Sequence, residues 1–200
     1  ERLDDPDIFK MIELAGRTCY KSEDKITDDS AKKFVQRMID SKHMAMLEHG
    51  TVYMTVPIPF GKAAGVCDDT SEEWKLLDYF SKNPYSIVRC TSPSLFYEAK
   101  GFITTNYRVI VENDKLEEYE KYKSECTEFH KKRISFKIVT NRQVSHELVR
   151  SRKFSFAQES TRYCDYTKDK FRGLTFVIPA FLKDKPYNCK EMFDFKDYMQ

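Results

Sequence analysis

A mixed α+β fold is the class this chain predicts, from three observations. Apolar residues recur at helical spacing through the first forty positions, then alternate strictly between Thr51 and Ile58. A β-branched and aromatic stretch, Ile134–Thr140, later runs into a residue suited to starting a helix, Asn141. A length of 200 residues implies one domain, or one domain carrying an insertion. With 40% hydrophobic and 33% charged residues, six Gly and seven Pro, the chain is neither collagen-like, low-complexity nor disordered. No apolar run approaches the roughly 20 residues of a membrane helix. The opening Glu1-Arg2-Leu3-Asp4-Asp5 shows no signal peptide. A net charge of +2 gives no electrostatic argument for coating nucleic acid. A soluble protein with no membrane and no nucleic-acid partner is expected.

Ile8, Met11, Ile12 and Ala15 form one helix face after Pro6. Thr27 or Asp28 is placed to cap a second helix, with Ala31, Phe34, Val35, Met38 and Ile39 as its buried stripe. Val52, Met54, Val56 and Ile58 share one face of a strand that Pro59 and Gly61 end. Residues from about 60 to 133 read as a central insertion, structural or at most a rim or oligomer element, because nothing in them converges chemically. Within it, Ser71 caps a short helix bearing Trp74, Leu77 and Phe80. Phe102–Val111 is β-rich, and Leu116–Lys132 reads as a charged helix with Leu116, Tyr119, Cys126 and Phe129 inward. Strong signals return at the strand Ile134–Thr140, the helix Arg142–Arg152 and the strand Leu174–Ile178. Asn188-Cys189-Lys190-Glu191 resembles a capping box opening a last helix with Met192, Phe193, Phe195 and Met199. That helix reaches Gln200 without a C-cap, which reads as a chain cut short.

Six cysteines (Cys19, Cys67, Cys90, Cys126, Cys164, Cys189) lie apart without a C-x-x-C pair, the pattern of free thiols in a reducing cytoplasm. His43 and His49 are six apart and share no helix face, so no metal site is expected. Glu48 and His49 read as polar partners for the helix end and the next strand.

Chemistry concentrates between Asn141 and Arg172. Arg150-Ser151-Arg152 closes the expected helix, where the macrodipole favours cations. Gln158-Glu159-Ser160-Thr161-Arg162-Tyr163 follows, rich in hydroxyl, amide and guanidinium groups. That inventory suits a phosphate joined to a hydrogen-bonding heterocycle, since the guanidinium fork matches two phosphate oxygens at once. Cys164 has no adjacent His to lower its pKa and reads as structural.

These residues resemble the flavin-dependent thymidylate synthases, the ThyX family. The family signature is Arg-His-Arg, seven residues, then Ser, usually continuing to x-Arg-Tyr. Here it stands as Arg150-Ser151-Arg152, seven residues, Ser160-Thr161-Arg162-Tyr163. Ser145-His146-Glu147-Leu148-Val149 is similar to the lead-in helix, and His43-Met44-Ala45-Met46-Leu47-Glu48-His49 to the family's His-x-(Ser/Thr)-x-x-Glu-His. Ala15-Gly16-Arg17-Thr18-Cys19-Tyr20 is similar to the end of its first helix. Ser151 replaces the central His, and Ala45 replaces the usual Ser or Thr. The family's last catalytic arginine would fall beyond Gln200, so no catalytic residue is assigned.

The resemblance implies a ThyX-like α+β domain that methylates deoxyuridylate (dUMP) to thymidylate. Methylenetetrahydrofolate would be the carbon donor and NADPH the reductant of bound FAD, in a cytoplasmic homotetramer with sites between subunits. It implies FAD contacts from Arg150, Ser151, Arg152 and Gln158, with His43 and Ala45 along the adenosine phosphates of a neighbouring subunit's cofactor. Glu147, Leu148, Val149, Arg150, Gln158, Glu159, Ser160, Thr161 and Arg162 would line the dUMP pocket, with Arg162 and Ser160 on the phosphate. Two rivals stand beside this reading. One is a non-catalytic flavin or nucleotide binder, favoured by Ser151. The other is an RNA-binding module, suggested by the Arg/aromatic run Arg150–Tyr166 and weakened by the near-neutral charge.

Overall fold

The computed structural model describes residues 2–3, 7–59, 70–92, 99–168, 177–178 and 180–183. It divides into two compact units: Glu1–Lys137 with Ser155–Ser160, and Ile138–Phe154 with Thr161–Gln200. The fold is α+β, as expected.

In the first unit, β1 (Arg2–Leu3) precedes α1 (Ile8–Tyr20) and α2 (Ser30–Asp40). Asp7 caps α1 by accepting from the amides of Phe9 and Lys10. At α2 the N-cap is Asp29, not Thr27 or Asp28, and its side chain makes no capping bond. Ser30, the first helical residue, accepts from the Thr27 amide in the preceding turn at 2.9 Å and donates to the Glu13 carboxylate at 2.8 Å. Glu13 is buried on α1, and Arg17 meets it through Nε and Nη2, both at 3.1 Å. The burial of that carboxylate is therefore compensated by a guanidinium and a hydroxyl.

β2 (Thr51–Pro57) buries alternate residues, and Val52, Met54, Val56 and Ile58 all face the core. It pairs antiparallel with β4 (Lys100–Asn106), which in turn pairs with β3 (Ile87–Cys90). α3 (Glu72–Lys82) carries the predicted Ser71 cap, whose hydroxyl accepts from the Trp74 amide. Leu77 and Phe80 join Phe34, Val35, Met38, Val52, Met54 and Ile103 in one core cluster. The stretch read as an insertion thus supplies the central strand of this sheet and much of its core.

The β-rich reading of Phe102–Val111 holds only as far as Asn106. Its side chain accepts from the Val109 amide at 3.1 Å and starts α4 (Tyr107–Glu112), overriding the β-branched run behind it. The long helix expected to Lys132 stops at Tyr122, where α5 (Leu116–Tyr122) ends. Lys123 then bridges to Met54, and the Ser124 amide donates to the Tyr53 carbonyl at 3.0 Å. The chain covers the second edge of β2 there, a tertiary pairing that outcompetes helical continuation. Leu116, Cys126 and Phe129 are exposed rather than inward, although Phe129 stacks on Phe102 at 4.9 Å. Buried His130 pins this cover: its Nδ1 accepts from the Thr127 amide at 3.1 Å, and its Nε2 faces the Met54 carbonyl at 3.1 Å.

Of the strand expected over Ile134–Thr140, only β5 (Ser135–Phe136) forms, paired with β1. In the second unit, Asn141 caps α6 (Arg142–Leu148) as expected, accepting from the Val144 amide at 2.9 Å. The helix ends before Arg150 and Arg152, which follow it. Val177 and Ile178 lie in no strand, and the rest of the strand expected over Leu174–Ile178 lies outside the described residues. So do Gly61, Cys67 and the helix expected after Asn188. No helix among the described residues is long and apolar enough to cross a membrane.

Gly16 makes the close packing of α1 on α2 testable. A Cβ there would sit 2.5 Å from Phe34 Cζ, whose ring is buried. Alanine normally gains about 1 kcal/mol over glycine inside a helix, whereas overpacking a core costs about 1–3 kcal/mol. Gly16→Ala should therefore lower stability in urea unfolding, against the propensity expectation. Combined with Phe34→Leu it should lose less than the sum of the two single changes.

Candidate functional site

The seven residues between the signature's second arginine and its serine begin in the second unit and end in the first. In the second unit, Glu147 and Arg150 form an exposed ion pair at 2.9 Å. The Arg150 amide donates to the Glu147 carbonyl and the Ser151 amide to the Leu148 carbonyl, tightening the turn after α6. Leu148, Val149, Arg150, Ser151 and Arg152 are all exposed, and Arg152 has no carboxylate partner among the described residues. Arg142 donates to the Thr161 hydroxyl at 2.7 Å, a contact absent from the sequence argument. Arg162 is exposed, with its guanidinium 5.7 Å from the Tyr163 ring centroid. Asp165 accepts from the Thr167 hydroxyl at 2.7 Å and meets Lys168 at 3.4 Å. Those contacts hold its carboxyl below the usual range. Cys164 is buried.

In the first unit, Gln158, Glu159 and Ser160 are half-buried beside the end of α1. The Ser160 amide donates to the Cys19 carbonyl at 2.9 Å, and Glu159 meets the Lys21 ammonium at 3.7 Å. His43 is exposed, with Nδ1 3.2 Å from the Tyr20 hydroxyl. Ala45 is exposed in the 3-10 segment Met44–His49, which leads into β2.

Glu48 and His49 are expected to serve the helix end and the next strand, but their observed partners lie far away in sequence. The Glu48 carboxylate pairs with Arg108 at 2.7 Å. Arg133 donates to the Glu48 carbonyl at 3.1 Å and the Thr105 carbonyl at 3.3 Å. Burial pushes the Arg133 guanidinium pKa down. The neighbouring His49 bonds to the backbone of Phe156, while its Nε2 is buried with no partner among the described residues. Burial lowers the His49 pKa, and the Arg133 charge lowers it further. Arg133 and Lys21 carry no local motif, so neither was legible as a site residue in the sequence. No three His, Cys, Asp or Glu side chains cluster as a metal site among the described residues.

The second unit presents exposed guanidiniums and a hydroxyl-rich turn, and the first unit holds the half-buried Gln158–Ser160 arm. A family model described as thymidylate synthase complementing protein (Thy1) matches residues 94–200, more than half of the chain. The chain belongs to that family. The match spans the whole signature, Arg150 to Tyr163, and membership supports a thymidylate-synthase type of function. No curated protein and no solved structure matches the chain.

In this family member the half-buried histidine beside Arg133, His49, predicts a pH dependence. With the folded pKa below the ordinary 6.5, the unfolded chain takes up a proton that the folded chain refuses. This contribution is complete above about pH 6.5 and is lost as pH falls toward the lower folded value. Melting temperature should therefore drop as pH falls from about 6.5 to 5, and drop less in His49→Gln, whose amide does not titrate.

Proposed function

We propose that this chain is a flavin-dependent thymidylate synthase, methylating dUMP to thymidylate with methylenetetrahydrofolate as carbon donor and NADPH as reductant. The observation that carries this reading is the ordered set Arg150-Ser151-Arg152 and Ser160-Thr161-Arg162-Tyr163 inside the matched family segment. When bound, FAD supplies the redox chemistry and takes part in methylene transfer, which suits a chain with no activated nucleophile in the signature.

The donor set fits that cofactor. Arg152 is exposed without a carboxylate partner among the described residues, and Arg150 carries only an exposed pair to Glu147. Both guanidiniums can therefore turn to ring carbonyls or phosphate oxygens at little cost, since an exposed pair is worth about 0–1 kcal/mol. Arg150, Ser151, Arg152 and Gln158 are assigned to FAD. His43 and Ala45 are assigned to the adenosine phosphates of a neighbouring subunit's cofactor in a cytoplasmic homotetramer.

Glu147, Leu148, Val149, Arg150, Gln158, Glu159, Ser160, Thr161 and Arg162 are assigned to dUMP. The Ser160 hydroxyl donates to the phosphate and Arg162 grips it with a charge-assisted pair of bonds. Gln158 presents an amide that both donates and accepts toward the uracil edge. The second reading, a flavin and nucleotide binder without turnover, rests on Ser151, which cannot carry the positive charge of an imidazole.

Arg162 gives the first test. Arg162→Ala should weaken dUMP about ten- to hundredfold, the equivalent of about 1.5–3 kcal/mol for a charge-assisted contact. Arg162→Lys should recover part of the loss, and deoxyuridine, which lacks the phosphate, should scarcely notice either change. Equal losses for nucleotide and nucleoside, with a lower melting temperature, would assign Arg162 to the fold instead.

Ser151→His gives the second test. It should tighten FAD, followed by flavin absorbance, or speed its reoxidation, while dUMP affinity stays in place. Thymidylate formed by the unsubstituted protein under reducing conditions would eliminate the binder-only reading. A protein that takes up neither flavin nor dUMP would eliminate both.

A further inference from the structure

The last turn of α1 ends with carbonyl groups that have no partner inside the helix. Two of them are satisfied locally. The Lys21 amide reaches the Arg17 and Thr18 carbonyls, and the Ser22 amide reaches Arg17 at 3.0 Å. The Cys19 carbonyl takes its hydrogen bond from the Ser160 amide, 141 positions along the chain, at 2.9 Å. Lys21 adds a second tie, its ammonium standing 3.7 Å from Glu159.

Lys21 sits in the left-handed region at φ 46°, ψ 56°, a conformation that glycine adopts without strain and lysine does not. A lysine at a helix C-terminus has a partial electrostatic rationale, because its charge complements the negative end of the dipole. Here it also faces a carboxylate on the arm assigned to the nucleotide. The same turn is braced from its other side, where Tyr20 meets His43 at 3.2 Å and the Cys19 sulfur lies 3.8 Å from that of Met46.

We propose that Lys21, on the C-terminal turn of α1, is a positioning residue for the substrate: it holds Glu159 and, with the Cys19 carbonyl, fixes the Gln158–Ser160 arm. This inference rests on the assignment of that arm to dUMP. Lys21 does not touch the nucleotide. It acts by keeping the arm ordered before the ligand arrives, so that binding does not have to order it.

Lys21→Gly separates this role from a structural one, because it removes the ammonium while relieving the left-handed backbone. The melting temperature should not fall. Hydrogen exchange of the 155–160 amides in the ligand-free full chain should quicken about two- to fivefold, the range an exposed ion pair supports, with α1 and β2 protection unchanged. Affinity for dUMP should weaken by a similar factor, and Lys21→Arg, which keeps the cation, should restore both readouts. Exchange at 155–160 that is the same in wild type and Lys21→Gly would overturn the positioning role. So would equal dUMP affinity in the two proteins. A wild type that binds no dUMP would instead overturn the nucleotide assignment, and this inference with it.

Discussion

The seven-residue antiparallel pairing of β2 with β4 is the constraint from which the first unit is built. It sets Thr51 against Asn106 at one end and Pro57 against Lys100 at the other. Because side chains alternate, that register turns Val52, Met54 and Val56 onto the same core as Ile103, Leu77 and Phe80. A slip of one residue would place all of them on the other face. The register also sets where the sheet ends. At the Thr51–Asn106 end, Asn106 starts α4, and Glu48 and His49 emerge beside Arg108 and Arg133.

Several polar groups buried around that frame are satisfied by partners, whereas the buried Thr104 hydroxyl has none among the described residues. Glu13 is held by Arg17 and Ser30, and His130 spends both ring nitrogens closing the outer edge of β2. Arg133 donates to two carbonyls of separate elements and so links the start of β2 to the end of β4. His49 likewise has one nitrogen bonded to the Phe156 backbone and the other buried with no partner among the described residues. Its imidazole therefore prefers to stay neutral, and it stands at the foot of the arm that carries Gln158 and Ser160.

The two ends of the signature sit in different physical settings. Arg150, Ser151 and Arg152 follow a short helix and are exposed, whereas Gln158–Ser160 is anchored to the end of α1 by a hydrogen bond and an ion pair. Exposed guanidiniums can reorient toward an anion at little cost, because their existing pairs are screened by water. The arm is instead held in place by those two contacts.

Local patterns in the sequence determined α1, α2, β2, the Ser71 and Asn141 caps, and the residue types of the signature. Each rests on spacing within a few positions, where helical and pleated periods differ plainly. The family was legible too, because its elements are short and ordered. Where Phe102–Val111 turned helical, where Leu116–Lys132 stopped being helical, and why Ile134–Thr140 pairs over only two residues were all decided by tertiary structure. A buried Asn106 and an open edge on β2 settled the first two, and neither leaves a local periodic signal. The Glu48 carboxylate, the His49 ring, the Cys19 carbonyl and the Lys21 ammonium each meet a partner 60 to 141 positions away. Hydrogen bonds and ion pairs depend on separation in space, so only the folded chain could reveal that the end of its first helix holds the arm of its signature.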